Sequence, residues 1–352
     1  MEKYRQFADP GTGVNPFVPT WTHYKPSRVA KALKLLIASP IAILRLANLL
    51  VLALLVALSS AVVYLVPIGV LQYWLGWLVI SSGCSVAMRM VGLFWISETA
   101  ADHRRLKLRP PKDEGPPPFS LPRATHGTLV LANHTSFIDV LYLTMRINPS
   151  YAITHADDTL SLVGCFTALR WAMATHHSAK SGPYTSVKDV CEAARRRGYG
   201  PVVLFPEGGR SNGTVVLPWR TKVFDRCGDD WLAKDTMLVC LEYPKQPTLF
   251  SAYTPPHTVN SPLWHTVRLC LQLYHSLSVT AVSREDVSTA LANRPLVEQT
   301  ELLRTLSVRM LVGGTAVEVP ASTLPAFVEY WNSTQKRQYV KKGDRQGDRK
   351  RR

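Results

Sequence analysis

The chain has 352 residues, enough for one large domain or two ordinary ones, and 46% of them are hydrophobic, which supplies a sizeable core. A formal net charge of +16 favours an anionic partner: nucleic acid, an acidic membrane surface or a phosphorylated substrate. The six cysteines lack paired spacing, which argues against a disulfide framework or a zinc site and indicates ordinary buried thiols of a reducing compartment.

The first 34 residues of the N-terminal arm (1–45) are polar and aromatic, and they are punctuated by Asp9-Pro10-Gly11-Thr12-Gly13 and by Pro16, Pro19 and Pro26. Proline and glycine at this density disfavour a helix. We therefore expect an ordered arm here. The hydrophobic segment that follows starts too late and runs too long for a signal peptide.

An uncharged stretch, Leu46–Met88, follows the arm. A membrane-spanning helix needs ~20 apolar residues, so this stretch is long enough for two passes. A proline and a glycine interrupt it near the middle, which predicts two membrane helices, Leu46–Val66 and Ile68–Met88. Basic residues flank both outer ends of this hairpin (46–98). By the positive-inside tendency both ends face the cytosol, whether the hairpin crosses the bilayer or re-enters it.

A proline-rich linker (99–124) separates the hairpin from a region in which predicted strands alternate with predicted helices. This alternation indicates an α/β fold with a mainly parallel sheet flanked by helices, preceded by the membrane-embedded hairpin. We assign it to one domain (125–335), followed by a basic tail (336–352) that either attracts anionic lipid or is a solvated end. The predicted strands are Leu129–Ala132, Tyr151–Thr154, Pro201–Phe205, Met237–Leu241 and Ser278–Val282, and the predicted helices are Ile138–Ile147, Leu160–Met173, one capped at Thr185 or Ser186, Trp264–Tyr274 and Arg294–Met310.

A polar block, Asn133-His134-Thr135-Ser136-Phe137-Ile138-Asp139, directly follows the first predicted strand. Open α/β sheets tend to place chemistry at the carboxyl ends of their strands. The spacing lets the Asp139 carboxylate bind one imidazole nitrogen of His134 across a strand-to-helix turn, which leaves the other nitrogen available as a base. Taken alone, such a pair is more commonly a helix cap and a first-turn charge.

A second block, Pro206-Glu207-Gly208-Gly209-Arg210-Ser211-Asn212-Gly213, follows the strand Pro201–Phe205. Its glycines free the backbone to approach a ligand and to expose N–H groups to an anion. Arg210 offers a planar fork that matches a phosphate, and Glu207 can hold that arginine or bind a substrate hydroxyl. The alternative is a glycine-rich turn with a surface ion pair. Because both blocks follow predicted strands, we expect them at one edge of the sheet.

The two blocks together resemble the glycerolipid acyltransferase family. Asn133–Asp139 is similar to its N-H-x-x-x-x-D signature, and Phe205–Ser211 is similar to its F-P-E-G-T-R-S block, with Gly209 where threonine is usual. The blocks have the family's order and separation. Met1-Glu2-Lys3-Tyr4 and Gly11–Pro19 also resemble the fungal lysophosphatidic acid:oleoyl-CoA acyltransferase branch.

The resemblance implies acyl transfer from acyl-CoA, a co-substrate and not a cofactor, to the free hydroxyl of a lysophospholipid. Lysophosphatidic acid is the expected acceptor and phosphatidic acid the expected product. His134 is the implied general base, and Asp139 fixes its tautomer and stabilises the imidazolium. The implied setting is glycerolipid and triacylglycerol synthesis at the endoplasmic reticulum membrane, the lipid droplet or both, with the site facing the cytosol. The implied substrate-binding residues are Glu207, Gly208, Gly209 and Arg210.

Two parts of the family pattern are weak. The middle block, Gly-x-x-Phe-Ile-x-Arg, is not recognisable; the corresponding region reads Leu169–His177 and then Lys180, so either one of these basic residues substitutes or the acceptor differs. The final proline-containing block is represented only by Leu241-Glu242-Tyr243-Pro244. The resemblance therefore specifies the reaction type more firmly than the acceptor.

Three other functions stay open. A chain that has lost activity could serve as a scaffold on the endoplasmic reticulum or on lipid droplets. The same His–Asp pair could activate water in a lipid hydrolase. Net charge alone would fit nucleic-acid binding, but no recognition fold is visible, so we expect no nucleic-acid partner. We also expect no metal site, because His176-His177 has no cysteine or paired carboxylate at ligand spacing.

Overall fold

The computed structural model describes residues 2–20, 27–108, 119, 121, 126–174, 181–244, 251, 253–259 and 261–335. Most of the predicted linker, the predicted tail and the basic candidates His176, His177 and Lys180 lie outside these residues. The described part has an α/β fold with a seven-stranded, mostly parallel sheet, helices on both faces and an N-terminal helical hairpin, as the alternating pattern predicted.

The described helices are α1 (Arg28–Tyr64), α2 (Gly69–Val91), α3 (His103–Leu106), α4 (Phe137–Ile147), α5 (Cys165–Met173), α6 (Val187–Arg196), α7 (Asp229–Asp235), α8 (Pro262–Cys270), α9 (Arg284–Leu291) and α10 (Leu296–Met310). The strands are β1 (Leu93–Ala100), β2 (Leu129–Ala132), β3 (Ser150–Thr154), β4 (Leu160–Val163), β5 (Val202–Leu204), β6 (Val215–Val216), β7 (Thr236–Glu242), β8 (His275–Val282) and β9 (Thr315–Ala316). Short 3-10 helices cover Glu2–Phe7, Thr221–Phe224 and Ala321–Thr323, and a final helix runs from 324 to 335.

The main sheet is parallel at its centre and reverses direction towards its edges. Its strand order is β1-β8-β7-β2-β5-β3-β4. β2 pairs in parallel with β5 and β7, and β3 pairs in parallel with β5. β8 is antiparallel to β7, with β1 parallel to β8, and β4 is antiparallel to β3. The carboxyl ends of β2, β5 and β7 therefore meet at one edge of the sheet.

The central strand β2 is buried on both faces. Leu129 and Leu131 join the core formed with α6, α9 and α10, whereas Val130 and Ala132 join the core formed with α2, α4 and α5. Successive side chains of a strand point to opposite faces. A continuous apolar run is therefore what a strand covered by helices on both sides requires.

The N-terminal arm packs against the C-terminal part of the chain. Phe17 is buried in a third core with Leu217 and Phe327, and Tyr4 stacks on Trp331 with ring centroids 5.0 Å apart. The expectation of a non-helical arm up to residue 34 is wrong at both ends. The arm starts with a 3-10 helix, and α1 already begins at Arg28, after a serine cap.

Leu160–Met173, predicted as one helix, is β4 followed by α5. Periodicity cannot assign a short apolar run to helix or strand, and the antiparallel pairing of β4 with β3 decides it here. Two predicted boundaries are also wrong: the end of the hairpin at residue 98 and the start of the linker at residue 99. Residues 93–100 are β1, which pairs with β8, a strand too distant in the chain for any local pattern to reveal. Part of the predicted linker then forms α3.

The hairpin predicted from the uncharged stretch is present. α1 packs against α2, and both helices are long and apolar enough to cross a membrane. The second half of α2 belongs to the domain: Cys84 and Met88 lie in its core, and Ser81 Oγ donates to the backbone oxygen of Met145 at 2.7 Å.

Arg45, in the middle of α1, joins the hairpin to the end of α8. Its guanidinium donates to the backbone oxygens of Cys270, Gln272 and Leu273. These carbonyls lie where α8 ends and have no partners inside the helix. Arg45 is the one charged residue between Lys34 and Arg89 in the sequence, and its hydrogen bonds hold α1 against the domain.

Candidate active site

His134 and Asp139 form a buried hydrogen-bonded pair at the carboxyl end of β2. The distance from His134 Nδ1 to Asp139 Oδ2 is 3.0 Å, and both side chains are fully buried. Because an ionised carboxylate only accepts hydrogen bonds, Nδ1 carries the proton and Nε2 carries the lone pair. The described residues offer Nε2 no hydrogen-bond partner. The pair therefore has the arrangement of a general base with a fixed tautomer.

Asp139 also caps the helix that carries it. Its Oδ2 accepts from the backbone N–H groups of Thr135 (2.7 Å) and Ser136 (2.8 Å). The Ser136 hydroxyl accepts from the backbone N–H groups of Ile138 and Asp139, and the contact with Asp139 completes a capping box. The structural and the catalytic interpretations of this pair are therefore compatible: one carboxylate starts α4 and orients His134.

Tyr243, at the end of β7, binds the other oxygen of the same carboxylate. Its hydroxyl donates to Asp139 Oδ1 at 2.6 Å, and burial raises the pKa of Tyr243 well above its ordinary value, so the phenol stays protonated. The sequence placed this tyrosine in a weak block without assigning it a role. Only its position after the third strand at this edge could have indicated its contact with Asp139.

Two aromatic rings stack on the imidazole. Phe205 lies with its centroid 4.4 Å from that of His134, and the half-buried Trp171 lies at 5.4 Å. Burial lowers the pKa of His134 below its ordinary 6.5, the Asp139 carboxylate opposes this shift, and the Arg210 charge adds to it. His134 is therefore neutral at pH 7, as a base must be.

Backbone and amide contacts join the two polar blocks. Asn133 pairs with the backbone of Leu241 on β7, donating at 2.9 Å and accepting at 2.7 Å. Ser211 N donates to the backbone oxygen of His134 at 3.1 Å, and His257 N donates to that of Thr135 at 2.8 Å. The expected meeting of both blocks at one sheet edge is thus observed.

Glu207 is turned into the protein. Its Oε2 accepts from Leu217 N at 2.8 Å, next to β6, and the side chain is buried. Burial raises the pKa of Glu207 to about 8, although the Leu217 N–H opposes the rise. Glu207 therefore connects the second polar block to the segment after β6. Its contact with substrate stays a prediction.

Arg210 holds the end of α5. Its guanidinium donates to the backbone oxygens of Ala172 (2.6 Å) and Ala174 (2.9 Å) and to His257 Nδ1 (2.9 Å). Burial lowers its pKa to about 10, which leaves it cationic at neutral pH. The arginine therefore positions the segment that carries Trp171, and phosphate binding by Arg210 stays a prediction. His257 was missed because no local pattern brings residue 257 to residue 210.

Comparison with known proteins agrees with this geometry. The sequence model of the family described as Acyltransferase matches residues 117–226, which contain both polar blocks. A lysophospholipid acyltransferase of Arabidopsis thaliana is 26% identical over 190 residues, 49% of this chain and 46% of the relative. A second one is 24% identical over 96 residues, 27% of this chain and 18% of the relative.

A protein of Schizosaccharomyces pombe, whose name proposes a lysophosphatidic acid:oleoyl-CoA acyltransferase, is 27% identical over 260 residues, 73% of this chain and 74% of that protein. No solved structure matches the chain. Residues 117–226 thus match the acyltransferase family, and the named relatives support the glycerolipid acyltransferases. The chain spans less than half the length of its Arabidopsis relatives.

Packing explains why this chain has Gly209 where the family block usually has threonine. A β-carbon at this position would lie 2.7 Å from the β-carbon of Ala321, so the threonine usual in the family would need the Ala321 segment to move. Gly208 has a φ of +67°, and a β-carbon there would lie 2.5 Å from Arg220 Nε. Packing requires Gly209 and the backbone conformation favours glycine at 208, whatever the part of either residue in binding substrate.

The N-terminal arm binds the second polar block. Asn212 N donates to Pro16 O at 2.8 Å, and Asn212 Nδ2 donates to the backbone oxygens of Asn15 (3.1 Å) and Val18 (3.0 Å). The arm segment that resembles the fungal branch is therefore the one that supports the block next to His134. Within the described residues no cluster of side chains is suited to a metal ion.

Proposed function

We propose that this acyltransferase transfers a fatty acyl group from acyl-CoA to the free hydroxyl of a lysophospholipid, with lysophosphatidic acid as the acceptor, in glycerolipid synthesis. The observation that carries the proposal is the buried His134–Asp139 pair, whose Nε2 has no partner among the described residues. The names of the Arabidopsis relatives support a lysophospholipid acceptor, and the name of the fission yeast relative supports lysophosphatidic acid and an acyl-CoA donor.

In the proposed step, the acceptor oxygen attacks the thioester carbonyl while His134 Nε2 takes the hydroxyl proton. The ester C–O bond forms and the C–S bond breaks. The proton then passes from the imidazolium to the departing CoA thiolate. Asp139 stabilises the imidazolium meanwhile, and no acyl-enzyme is needed.

The acceptor reaches Nε2 only if a neighbour of His134 moves, because the histidine is fully buried. Phe205 is buried, whereas Trp171 is half-buried and lies against the imidazole. We assign the acceptor path to the Trp171 side. The Arg210 charge beside this path favours an anionic acceptor over a zwitterionic one.

Purified full-length protein in phospholipid vesicles, given labelled acyl-CoA, tests the proposal. His134→Ala and Asp139→Asn are each expected to lower the rate of acyl transfer ~100-fold or more, because a positioned base is lost, while membrane association is unchanged. Near-normal transfer by the His134→Ala variant would refute the role of the histidine.

An acceptor panel separates the remaining alternatives. Lysophosphatidic acid is expected to be preferred over lysophosphatidylcholine, lysophosphatidylglycerol and glycerol 3-phosphate. Release of free fatty acid without any acceptor would identify a hydrolase. A folded protein that turns over no member of the panel would identify a scaffold.

A further inference from the structure

The backbone that carries His134 continues past the end of its strand. β2 ends at Ala132, and the backbone oxygens of His134 and Thr135 lie beyond it. Loop N–H groups bind both oxygens: Ser211 N donates to the first at 3.1 Å, and His257 N donates to the second at 2.8 Å. A displacement of about 1 Å in a reacting group can cost ~100-fold in rate. The reactivity of His134 therefore depends on what holds these two loops.

The N-terminal arm holds the first loop through Asn212. This residue donates three hydrogen bonds to the arm, one from its backbone nitrogen and two from its side-chain amide. The accepting backbone oxygens belong to Asn15, Pro16 and Val18. The amide oxygen of Asn212 accepts from the backbone nitrogen of Thr214 at 3.1 Å and from its hydroxyl at 2.7 Å. Asparagine suits this position because its side chain supplies two N–H donors and an acceptor.

Asn15 shapes the turn that presents these carbonyl groups. Its side-chain oxygen accepts from the backbone nitrogens of Phe17 at 2.9 Å and Val18 at 3.2 Å, which forms an Asx turn. Its amide nitrogen donates to the backbone oxygen of Tyr4 at 2.9 Å. The buried ring of Phe17 packs against Phe327, with centroids 5.6 Å apart. The arm therefore fixes the directions of its own carbonyl groups.

The arm also holds the second loop, the one that carries His257. Thr258 Oγ1 donates to the backbone oxygen of Phe17 at 2.7 Å, and the hydroxyl groups of Thr20 and Thr254 share a hydrogen bond at 3.0 Å. Thr254 and Thr258 are buried. Both loops that bind the backbone around the proposed base are thus attached to the same stretch of the arm.

We propose that Asn15 and Asn212 are positioning residues for acyl transfer, which join the arm to the carboxyl end of β2 and keep His134 Nε2 directed at the acceptor. This inference rests on the proposed function. Neither asparagine touches the reacting atoms, and Asn212 acts through its neighbour Ser211. Because the His134–Asp139 contact forms within one turn of the chain, loosening the arm moves the pair as a unit and does not separate it.

Full-length variants in phospholipid vesicles, assayed with labelled acyl-CoA and lysophosphatidic acid, test the proposal. Asn212→Asp places a charged oxygen against carbonyl oxygens of the arm, and Asn15→Ala removes the turn. The two are measured singly and together. Asn332→Asp, on the exposed surface of the final helix, is the matched control for the change of charge. Tryptophan fluorescence gives the folded fraction, so that kcat is expressed per folded molecule.

Each arm variant is expected to lower kcat about 10-fold, with the KM of both substrates changed by no more than about 2-fold. The acidic limb of the pH profile is expected to stay in place, because the His134–Asp139 pair is intact. The double variant is expected to lose no more than the stronger single variant, since both changes break one contact. Parental kcat in both single variants would overturn the proposal, and so would losses that multiply in the double variant.

Thr258→Val serves if Asn212→Asp does not fold, because it removes a single hydroxyl donor from the second loop. It is expected to lower kcat about 3-fold, again with little change in KM. Parental kcat in this variant would contradict a positioning role for the arm.

Amide hydrogen exchange separates this inference from the proposed function, since it needs no turnover. The Ser211 amide, which donates to His134, is expected to exchange about 10-fold faster in Asn212→Asp than in the parent. Unchanged exchange of this amide would overturn the inference. Faster exchange, together with a parent protein that acylates no lysophospholipid, would refute the proposed function and still support the contact between the arm and the site.

Discussion

The Asp139 carboxylate contacts three parts of the site: His134, the start of α4 and Tyr243. Its Oδ2 orients His134 and caps α4, while its Oδ1 accepts from Tyr243. A carboxylate held at both oxygens has no freedom to rotate, so the imidazole keeps one tautomer and one orientation. Substitutions at this position therefore change the start of α4 as well as the base, and the cleaner probes are its partners.

Tyr243→Phe removes one donor to Asp139 and keeps the ring. Transfer is expected to slow by about 10-fold with little change in the acceptor KM, and the buried oxygen without its donor costs about 1–3 kcal/mol of stability. With that donor gone, the carboxylate attracts the imidazolium more strongly, so the acidic limb of the rate profile moves to higher pH. A wild-type pH profile in the variant would contradict a role for Tyr243 in positioning the base.

The burial of His134 predicts the pH dependence of the wild-type enzyme. Its pKa is lowered below 6.5, and the active form is neutral, so kcat/KM is expected to stay level at pH 7 and to fall only below pH 6.5, through the lowered pKa. The exposed His126 provides a control, since His126→Gln should leave this limb in place.

Acid unfolding must be separated from this titration. Burial also lowers the pKa of His275 to about 4. The unfolded chain therefore takes up protons before the folded one does, and stability falls as pH drops below 6.5. Tryptophan fluorescence at each pH measures the folded fraction. A fall in kcat/KM that already begins above pH 6.5, in fully folded protein, would contradict the predicted lowering of the His134 pKa.

At the level of single elements, α5 depends on a residue from outside it. The helix ends at Met173, and two backbone oxygens near that end, those of Ala172 and Ala174, are bound by Arg210. Trp171 lies in the same turn, against His134. The second polar block thus acts on the first partly through the helix between them.

Arg210→Lys tests this contact, because lysine keeps the charge but cannot bind both carbonyls in the same geometry. We expect a loss of about 3 kcal/mol in unfolding free energy and slower transfer. Arg196→Lys, on the exposed surface of α6, is the matched control. An unchanged unfolding midpoint for Arg210→Lys would rule out its role at the end of α5. A rise in KM for lysophosphatidic acid but not for acyl-CoA would support the predicted contact with the acceptor phosphate.

Across the whole molecule, α2 is shared between the membrane part and the domain. Its first half lies beyond the domain, whereas Cys84, Met88 and Val91 are buried in the core that also holds α4 and α5. The hairpin is therefore not a removable anchor, and the domain boundary runs through the middle of a helix.

Met88→Ala and Leu78→Ala, on the same helix, test this division. Met88 is 1% exposed and Leu78 is 58% exposed. Met88→Ala is expected to destabilise the domain by about 2–5 kcal/mol, because it leaves a cavity in the core. Leu78→Ala is expected to change stability by no more than ~0.5 kcal/mol. Denaturant unfolding in detergent measures both, and equal effects would contradict the assignment of α2 to the core.

Much of this arrangement follows from local sequence. A buried strand followed by a serine cap and an aspartate three residues later specifies the turn into α4, and that turn brings His134 and Asp139 together. Local sequence also predicts the strand before Glu207 and the hairpin formed by the uncharged run. These features depend on residues that are neighbours in the chain, so periodicity, caps and spacing predict them.

The partners of those residues come from distant parts of the chain and were decided by tertiary packing. Tyr243 reaches Asp139, His257 reaches Arg210, and Asn15 reaches Asn212, each because strands or the arm meet at one edge of the sheet. The sequence therefore predicts the base and its reaction, while the fold determines what orients that histidine: a long-range contact forms only when the sheet has assembled, and no local pattern encodes it.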